Sequence, residues 1–371
     1  MNWPAWVDAR NASIHASGRW RTIRDLAGGV PETSVLATGQ PVLSFASNDY
    51  LGLSQHPAVA AAAIDAIGRY GTGSGASRLI VGARAAHRDL EDALADWKGT
   101  ESALVFPTGF MTNLGVLTAL AADENTLICS DELNHASIID GARLARARVA
   151  IYRHGDLDQL DALLGGADRA IVVSDVVFSM DGDVAPVNEL YAACRRHGAL
   201  LVLDEAHAVL GPDAPTGDDV VVVGTLSKTL GAVGGFVAAP KAYVELLVNT
   251  ARSFIFTTAP APADMAAALA ALAIVRGDEG AERRATLRRW IDRVRPGHAS
   301  PVIPVVIGDE RAAMAASDAL LARGMLVPAI RPPTVAPGTS RLRIALSAAH
   351  TEGQVDALVE ALASLGLLQL R

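Results

Sequence analysis

The chain has 371 residues, half of them hydrophobic, with 40 acidic against 32 basic residues and a net charge of −8. That length suggests about two to three structural units with room for a sizeable core, and the acidic balance argues against a nucleic-acid partner. The first residues carry Asp8 and Arg10 where a signal peptide needs an apolar stretch, and the run from Met265 to Val275 falls well short of the ~20 residues that span a bilayer. A cytoplasmic protein without a membrane role is expected. Cys129 and Cys194 lie far apart among apolar neighbours, so they read as buried, reduced thiols and neither as a disulfide framework nor as a metal site.

In chain order, residues 1–44 form an N-terminal segment too short to own a core. Residues 45–280 alternate helical periods with short apolar runs bounded by Gly, Asp or Ser, the pattern of a mainly parallel sheet covered by helices. Strands are expected at Ser102 to Phe106, Thr126 to Cys129, Val149 to Tyr152, Ala170 to Val173, Leu200 to Leu203, Val220 to Val223 and Gly235 to Ala238, with helices such as Asp89 to Trp97 and Val187 to His197 between them. Residues 281–371 change character: Val302 to Ile307 extended, Arg311 to Arg323 helical, Leu342 to Leu346 extended, Glu352 to Leu365 helical. This reads as a smaller α/β domain.

Only three of the 32 basic residues are lysine: Lys98, Lys228 and Lys241. A guanidinium stays protonated at neutral pH, whereas a lysine amine can lose its proton and attack a carbonyl. Lys98, before Gly99, and Lys241, after Pro240, read as ordinary surface residues. Lys228 has a different setting.

In an open parallel sheet, ligands bind outside the carboxyl ends of the strands. Leu200 to Leu203 delivers Asp204, then Glu205-Ala206-His207; Val220 to Val223 delivers Gly224-Thr225-Leu226-Ser227-Lys228. Both motifs emerge on one edge. A carboxylate at the end of a buried strand is costly without a donor, and a pyridinium nitrogen is such a donor. Asp204 alone would read as a helix N-cap; paired with Ser-Lys on a neighbouring strand it reads as the partner of a pyridoxal 5′-phosphate (PLP) ring nitrogen, with Lys228 holding the aldehyde as a Schiff base.

His135 and His207 follow strands at the same edge, although a lone histidine is more often structural. Thr108-Gly109-Phe110 lies between a strand and a helix, where free N–H groups can cradle a phosphate. Tyr70 to Gly75 is not a dinucleotide fingerprint, because it follows a helical stretch and lacks the third glycine. Ser179 to Asp183 starts like a calcium loop but lacks the remaining ligands; Ser179 stays a candidate cofactor contact.

From Ser47-Asn48-Asp49-Tyr50-Leu51-Gly52 to Arg341-Leu342-Arg343, the chain resembles the α-oxoamine synthase family of fold type I PLP enzymes. The resemblance implies a large, mainly parallel sheet domain with a smaller C-terminal α/β domain, and Lys228 as the Schiff-base lysine. It further implies Asp204 at the ring nitrogen, His135 stacked on the ring, and Ser179 and His207 near the phenolic oxygen. Gly109, Phe110 and Thr225 would hold the phosphate, joined by Thr257 and Thr258 from the second subunit of a homodimer. Arg343 would grip the amino-acid carboxylate, with Arg341 its competitor. Arg21, with Arg19 and Arg24 close by, would be an N-terminal substrate contact, and Asn48 and Thr334 would also face substrate.

The segment Ala329-Ile330-Arg331-Pro332-Pro333-Thr334-Val335, followed by Pro337-Gly338-Thr339, resembles the member that joins L-alanine to a pimeloyl thioester, carried on coenzyme A or acyl carrier protein. Rivals are a sister synthase using glycine or serine, and a non-catalytic subunit of the same fold, whose signature would be loss of the lysine. The chain departs from the family pattern at Asp175, where a glutamate is usual, and in an abbreviated segment after His207. Both bear on the rim of the site.

Overall fold

The computed structural model describes residues 2–368. Helix Trp3–Ala16 is opened by Asn2, whose side chain accepts from the Ala5 N–H at 3.1 Å, and Pro4 sits in its first turn where a missing N–H costs nothing. None of its residues is buried. Strands β1 (Glu32–Ser34) and β2 (Pro41–Ser44) then form an antiparallel hairpin.

The central sheet contains seven strands: β3 (Ser102–Phe106), β4 (Thr126–Asp131), β5 (Arg148–Tyr152), β6 (Arg169–Asp175), β7 (Leu200–Asp204), β8 (Val220–Thr225) and β9 (Gly235–Ala239). Their spatial order is β3-β9-β8-β7-β6-β4-β5. The run β8-β7-β6-β4-β5 is parallel, as expected for strands joined by helical crossovers. Strand β9 is antiparallel to both its neighbours, because residues 226–234 are too short a connection for a crossover.

Both faces of the sheet are covered along its central strands, which is why these read as unbroken apolar runs, while the edge strand β5 leaves Val149 and Ile151 exposed. Side chains alternate between faces: Val220 and Val222 enter one core cluster while Val221 and Val223 enter another. The parallel register leaves the carboxyl ends of β6, β7 and β8 side by side, with Asp175 opposite Asp204 and Asp204 opposite Val223.

The remaining strands are β10 (Val302–Gly308), β11 (Met325–Leu326), β12 (Ala329–Ile330) and β13 (Ser340–Ala345). They make an antiparallel sheet in the order β10-β13-β12, while β11 pairs in parallel with β2. The N-terminal hairpin therefore gains its core from the C-terminal unit. Helix Asp278–Val294 runs through the expected boundary at 280/281. On β13, Leu342 and Ile344 face the core, so Arg341 and Arg343 face the opposite way, toward the edge of the central sheet.

Candidate active site

Lys228 stands in the turn between β8 and β9, held by Leu226 N–H to Gly234 C=O at 3.0 Å and Gly231 N–H to Lys228 C=O at 3.1 Å. Gly231 has φ +59°, and a Cβ there would lie 2.4 Å from the Ser54 nitrogen. Glycine is therefore needed both for the left-handed backbone and for the close approach of this turn to residues 53–54. The loop it touches is organised by Asp49, whose carboxylate accepts from Leu53 N–H, Ser54 N–H and Ser54 Oγ at 2.6–3.0 Å.

A cavity of about 220 Å³ opens at the carboxyl edge, lined by Lys228, Asp204, His207, His135, Thr225, Gly109 and Phe110, together with Asn113, Ser137 and Asp175. Lys228 Nζ lies 2.8 Å from His207 Nε2, and His207 Nδ1 lies 2.5 Å from Tyr50 Oη. Burial lowers the Lys228 amine from its ordinary value; Asp204 and Asp175 pull it back up, and Arg343 adds to the fall. His207 is held well below the usual histidine value by burial, then by Lys228, Arg343 and His135. It is a neutral imidazole between an amine and a phenol.

Asp204 Oδ2 accepts from Asn113 Nδ2 at 2.7 Å and Oδ1 from the Ala206 N–H at 2.9 Å. One donor on each oxygen leaves further acceptor capacity. Asp175, beside it, accepts the His135 N–H at 2.7 Å, and burial followed by Asp204 raises its carboxyl well above the ordinary range. His135 Nδ1 lies 2.7 Å from Ser137 Oγ, which in turn accepts from Asn113 Nδ2 at 2.9 Å. Its ring is lowered by burial, with Asp204 opposing and Lys228 assisting.

Thr108 caps helix Gly109–Leu120, accepting from the Met111 N–H at 3.1 Å, so the amides of Gly109 and Phe110 belong to a first turn without intrahelical acceptors. A Cβ at Gly109 would lie 3.3 Å from Thr225 Cβ, and one at Gly235 would lie 2.5 Å from the Gly109 nitrogen. The cradle is thus built from backbone brought close by glycine. An amine, a carboxylate with spare acceptor capacity and an N-terminal anion cradle around one cavity fit the aldehyde, ring nitrogen and phosphate of the expected cofactor. Among the described residues there is no group of three or more His, Cys, Asp or Glu able to hold a metal, and no helix is long and apolar enough to cross a membrane.

The other expected contacts divide. Arg343 is buried, donating from Nε to the Ser179 carbonyl at 2.6 Å and from Nη2 to Asn48 Oδ1 at 3.2 Å. Arg341 is instead paired with Asp181 and bonded to the Thr339 carbonyl, so of the two arginines Arg343 is the one tied to the Lys228 network. Ser179 joins through its backbone and is not part of the cavity wall. Thr257 and Thr258 lie in the segment after helix Arg252–Ile255, outside this chain's cavity. Arg21 is exposed in the extended stretch after the first helix, where Arg19 binds Glu310, and Thr334 is exposed beyond β12.

Lys98 is not the ordinary surface residue its sequence setting suggests: its side chain is largely buried, paired with Glu205, with Nζ 3.7 Å from the Trp97 ring centroid. The abbreviated segment after His207 runs as irregular backbone and, with Lys98, Trp97 and Arg276, walls a second cavity of about 450 Å³ behind Gly224 and Thr225. Tyr50 and Asn113 are the site residues to which the motifs gave no role, and Asp175, expected to bear on the rim, is buried in the cavity wall. Asn113 follows Gly109 by four residues, one helical turn, and that spacing was its available signal.

His154 braces the turn that holds Arg343. Its Nδ1 contacts both Asp131 oxygens at 3.0 and 3.1 Å, its Nε2 contacts Asp183 Oδ2 at 2.6 Å, and the hydrogen bonds it donates to these two carboxylates push it up to about 10. A raised folded-state value means that the stabilisation is full below the ordinary value near 6.5, falls as pH rises from there, and is gone above about 10. Wild type should therefore melt higher than His154→Gln at pH 6, with the gap closing by pH 10.5 in paired thermal scans. A gap that stays constant would contradict an imidazolium clamp.

A model of the class I and II aminotransferase family matches residues 40–362, and the chain belongs to that family. It is 47% identical over 373 aligned residues to the 8-amino-7-oxononanoate synthase of Methylobacterium nodulans, an alignment covering 98% of this chain and 97% of that protein. A solved structure of SPT with a PLP internal aldimine is similar at TM-score 0.90 and 28% identity, covering 99% of this chain and 100% of that one. The 8-amino-7-oxononanoate synthase from Francisella tularensis is similar at TM-score 0.73 and 26% identity, covering 88% and 98%.

Proposed function

We propose that the chain is a PLP-dependent acyltransferase that condenses L-alanine with a pimeloyl thioester, releasing carbon dioxide and free thiol and giving 8-amino-7-oxononanoate for biotin synthesis. The observation that carries this reading is the single cavity that presents Lys228, Asp204 and the amides of Gly109 and Phe110 together, in a chain related along its whole length to an enzyme of that name.

When bound, PLP supplies the electron sink for the pair left at the α-carbon. Asp204 would keep the ring nitrogen protonated, Thr225 and the first-turn amides would hold the phosphate, and His135 would lie against the ring. Arg343 takes the alanine carboxylate in a two-pronged grip, oriented by the Ser179 carbonyl. That grip turns the α-proton toward Lys228, whose lowered basicity leaves free amine available to remove it and later to return a proton. Orientation of this kind is worth several kcal/mol. The Ile330 to Val335 loop, with Thr334, would line the acyl-chain passage, and Arg21 would be an N-terminal substrate contact.

Two copies of the chain form the working unit in this reading. Leu79, Ile80, Val81 and Phe256 are exposed apolar residues on the same chain as Thr257 and Thr258, which fit a phosphate contact in the second copy's cavity.

The test is a thiol-release assay offering alanine, glycine or serine against pimeloyl, acetyl, succinyl and palmitoyl thioesters, each on coenzyme A and, for pimeloyl, on acyl carrier protein. Alanine with pimeloyl should dominate by a wide margin. The likeness to SPT, serine palmitoyltransferase, favours serine with a long acyl chain as the second reading. Better turnover of serine with palmitoyl, or of glycine with acetyl or succinyl, would replace the alanine–pimeloyl assignment while leaving the PLP chemistry standing.

A further inference from the structure

We propose that Tyr50 is a positioning residue that couples the carboxylate site at Arg343 to the amine of Lys228, by deciding which nitrogen of His207 carries the proton. The proposal rests on the assignment of Arg343 and Lys228 made above.

Tyr50 is fully buried, and its hydroxyl has one proton for two neighbours: His207 Nδ1 at 2.5 Å and Asn48 Oδ1 at 3.2 Å. Asn48 Oδ1 can only accept, and it also receives Arg343 Nη2 at 3.2 Å. His207 Nδ1 can donate or accept, and whichever role it takes leaves the opposite one for Nε2, 2.8 Å from Lys228 Nζ.

Two proton arrangements follow. In the first, Tyr50 donates to Asn48, His207 Nδ1–H donates to Tyr50, and the bare Nε2 accepts an N–H from Lys228. In the second, Tyr50 donates to His207 Nδ1, and Nε2–H donates to the lone pair of Lys228. The second requires an unprotonated Lys228, because an ammonium has no lone pair; the first supports a proton on that nitrogen. A carboxylate bound at Arg343 draws its N–H groups away from Asn48, and Oδ1, no longer shared with a cation, becomes the stronger acceptor for the Tyr50 proton. An occupied carboxylate site therefore selects the first arrangement and readies Lys228 to hold the proton it takes.

The other titratable groups facing this chain are Asp204 and Asp175 at the ends of β7 and β6, and His135 after β4; Arg343 faces it from β13. Burial, opposed by Arg343, pushes the Tyr50 phenol up to about 12, so the hydroxyl keeps its proton throughout the working range.

The probe is propionate, which is alanine without its amine. In the full-length holoenzyme carrying 15N-histidine, saturating propionate should move the His207 signals from the Nε2–H to the Nδ1–H pattern. In parallel, the visible absorbance of the Lys228-bound cofactor should titrate about half a pH unit higher with propionate than without. Tyr50→Phe, which removes one oxygen and keeps the ring, should bind propionate normally and lose most of that shift. Propionate binding that leaves the His207 pattern unmoved overturns the coupling alone, and so does a full shift in Tyr50→Phe. Failure of propionate to bind, with Arg343→Lys no different from wild type, overturns the Arg343 assignment and the coupling with it. The histidine spectrum of wild type decides the matter even if the variant does not fold.

Discussion

Lys228→Ala should fold, bind PLP without a covalent link, and release thiol at least about 10³-fold more slowly than wild type, because in the proposed function one side chain both holds the cofactor and moves the α-proton. The amine projects into a cavity and not into close-packed core, so its loss should cost little stability. Neither other lysine can stand in. Lys98 is locked against Glu205 and the Trp97 face, and Lys241 is exposed at the start of its helix, 3.8 Å from Glu245. Borohydride reduction of the wild-type holoenzyme followed by peptide mapping should place the label on the peptide carrying Lys228. A label on Lys98 or Lys241, or a visible chromophore surviving in the alanine variant, would move the cofactor elsewhere. With three lysines in the chain the peptide map has few alternatives to separate.

The parts legible in the sequence are those whose physics is local. A strand buried on both faces must be apolar throughout, so β6, β7 and β8 appear as runs of Val, Leu, Ile and Ala, and in these parallel strands the residue after each run falls at the sheet edge where ligands bind. That rule points to Asp204 and Lys228, which the fold brings to one cavity. The reversed direction of β9 is invisible in its composition and visible only in the shortness of residues 226–234. The hairpin β1–β2 escaped because strands of three and four residues have too little pattern, and its core comes from β11, some 280 residues away. Tyr50 escaped for a similar reason. Its partner His207 is 157 positions distant, and no periodicity encodes a hydrogen bond at that range. Lys98 misled because a lysine before a helix-ending glycine looks solvated; only the fold brings Glu205 to it. Arg21 and Thr334 rest on resemblance, and in the isolated chain both are exposed.

Asp204→Asn should keep the shape of the site and lose most of its turnover, with kcat falling on the order of 10²–10⁴-fold and KM for alanine changing little. The two carboxylate oxygens accept from different donors, Asn113 Nδ2 and the Ala206 N–H. An amide can accept with only one of its two ends, so its NH2 would face a donor on one side and could not hold a proton on the ring nitrogen from the other. Stability should move little, because two opposed terms enter. One hydrogen bond is lost, worth about 1 kcal/mol, while removal of one of two adjacent buried carboxylates relieves Asp175, whose raised value owes its second-largest contribution to Asp204. Lys228 loses the group that most raises it, so its amine should be easier to deprotonate and should still capture the cofactor. The variant is therefore expected to show the visible absorbance of bound PLP and to bind alanine, yet to exchange the alanine α-proton with solvent deuterium far more slowly than wild type. Near-normal kcat and exchange would reduce Asp204 to an acceptor for the loop after β7, and the electron sink would then need another partner for its ring nitrogen.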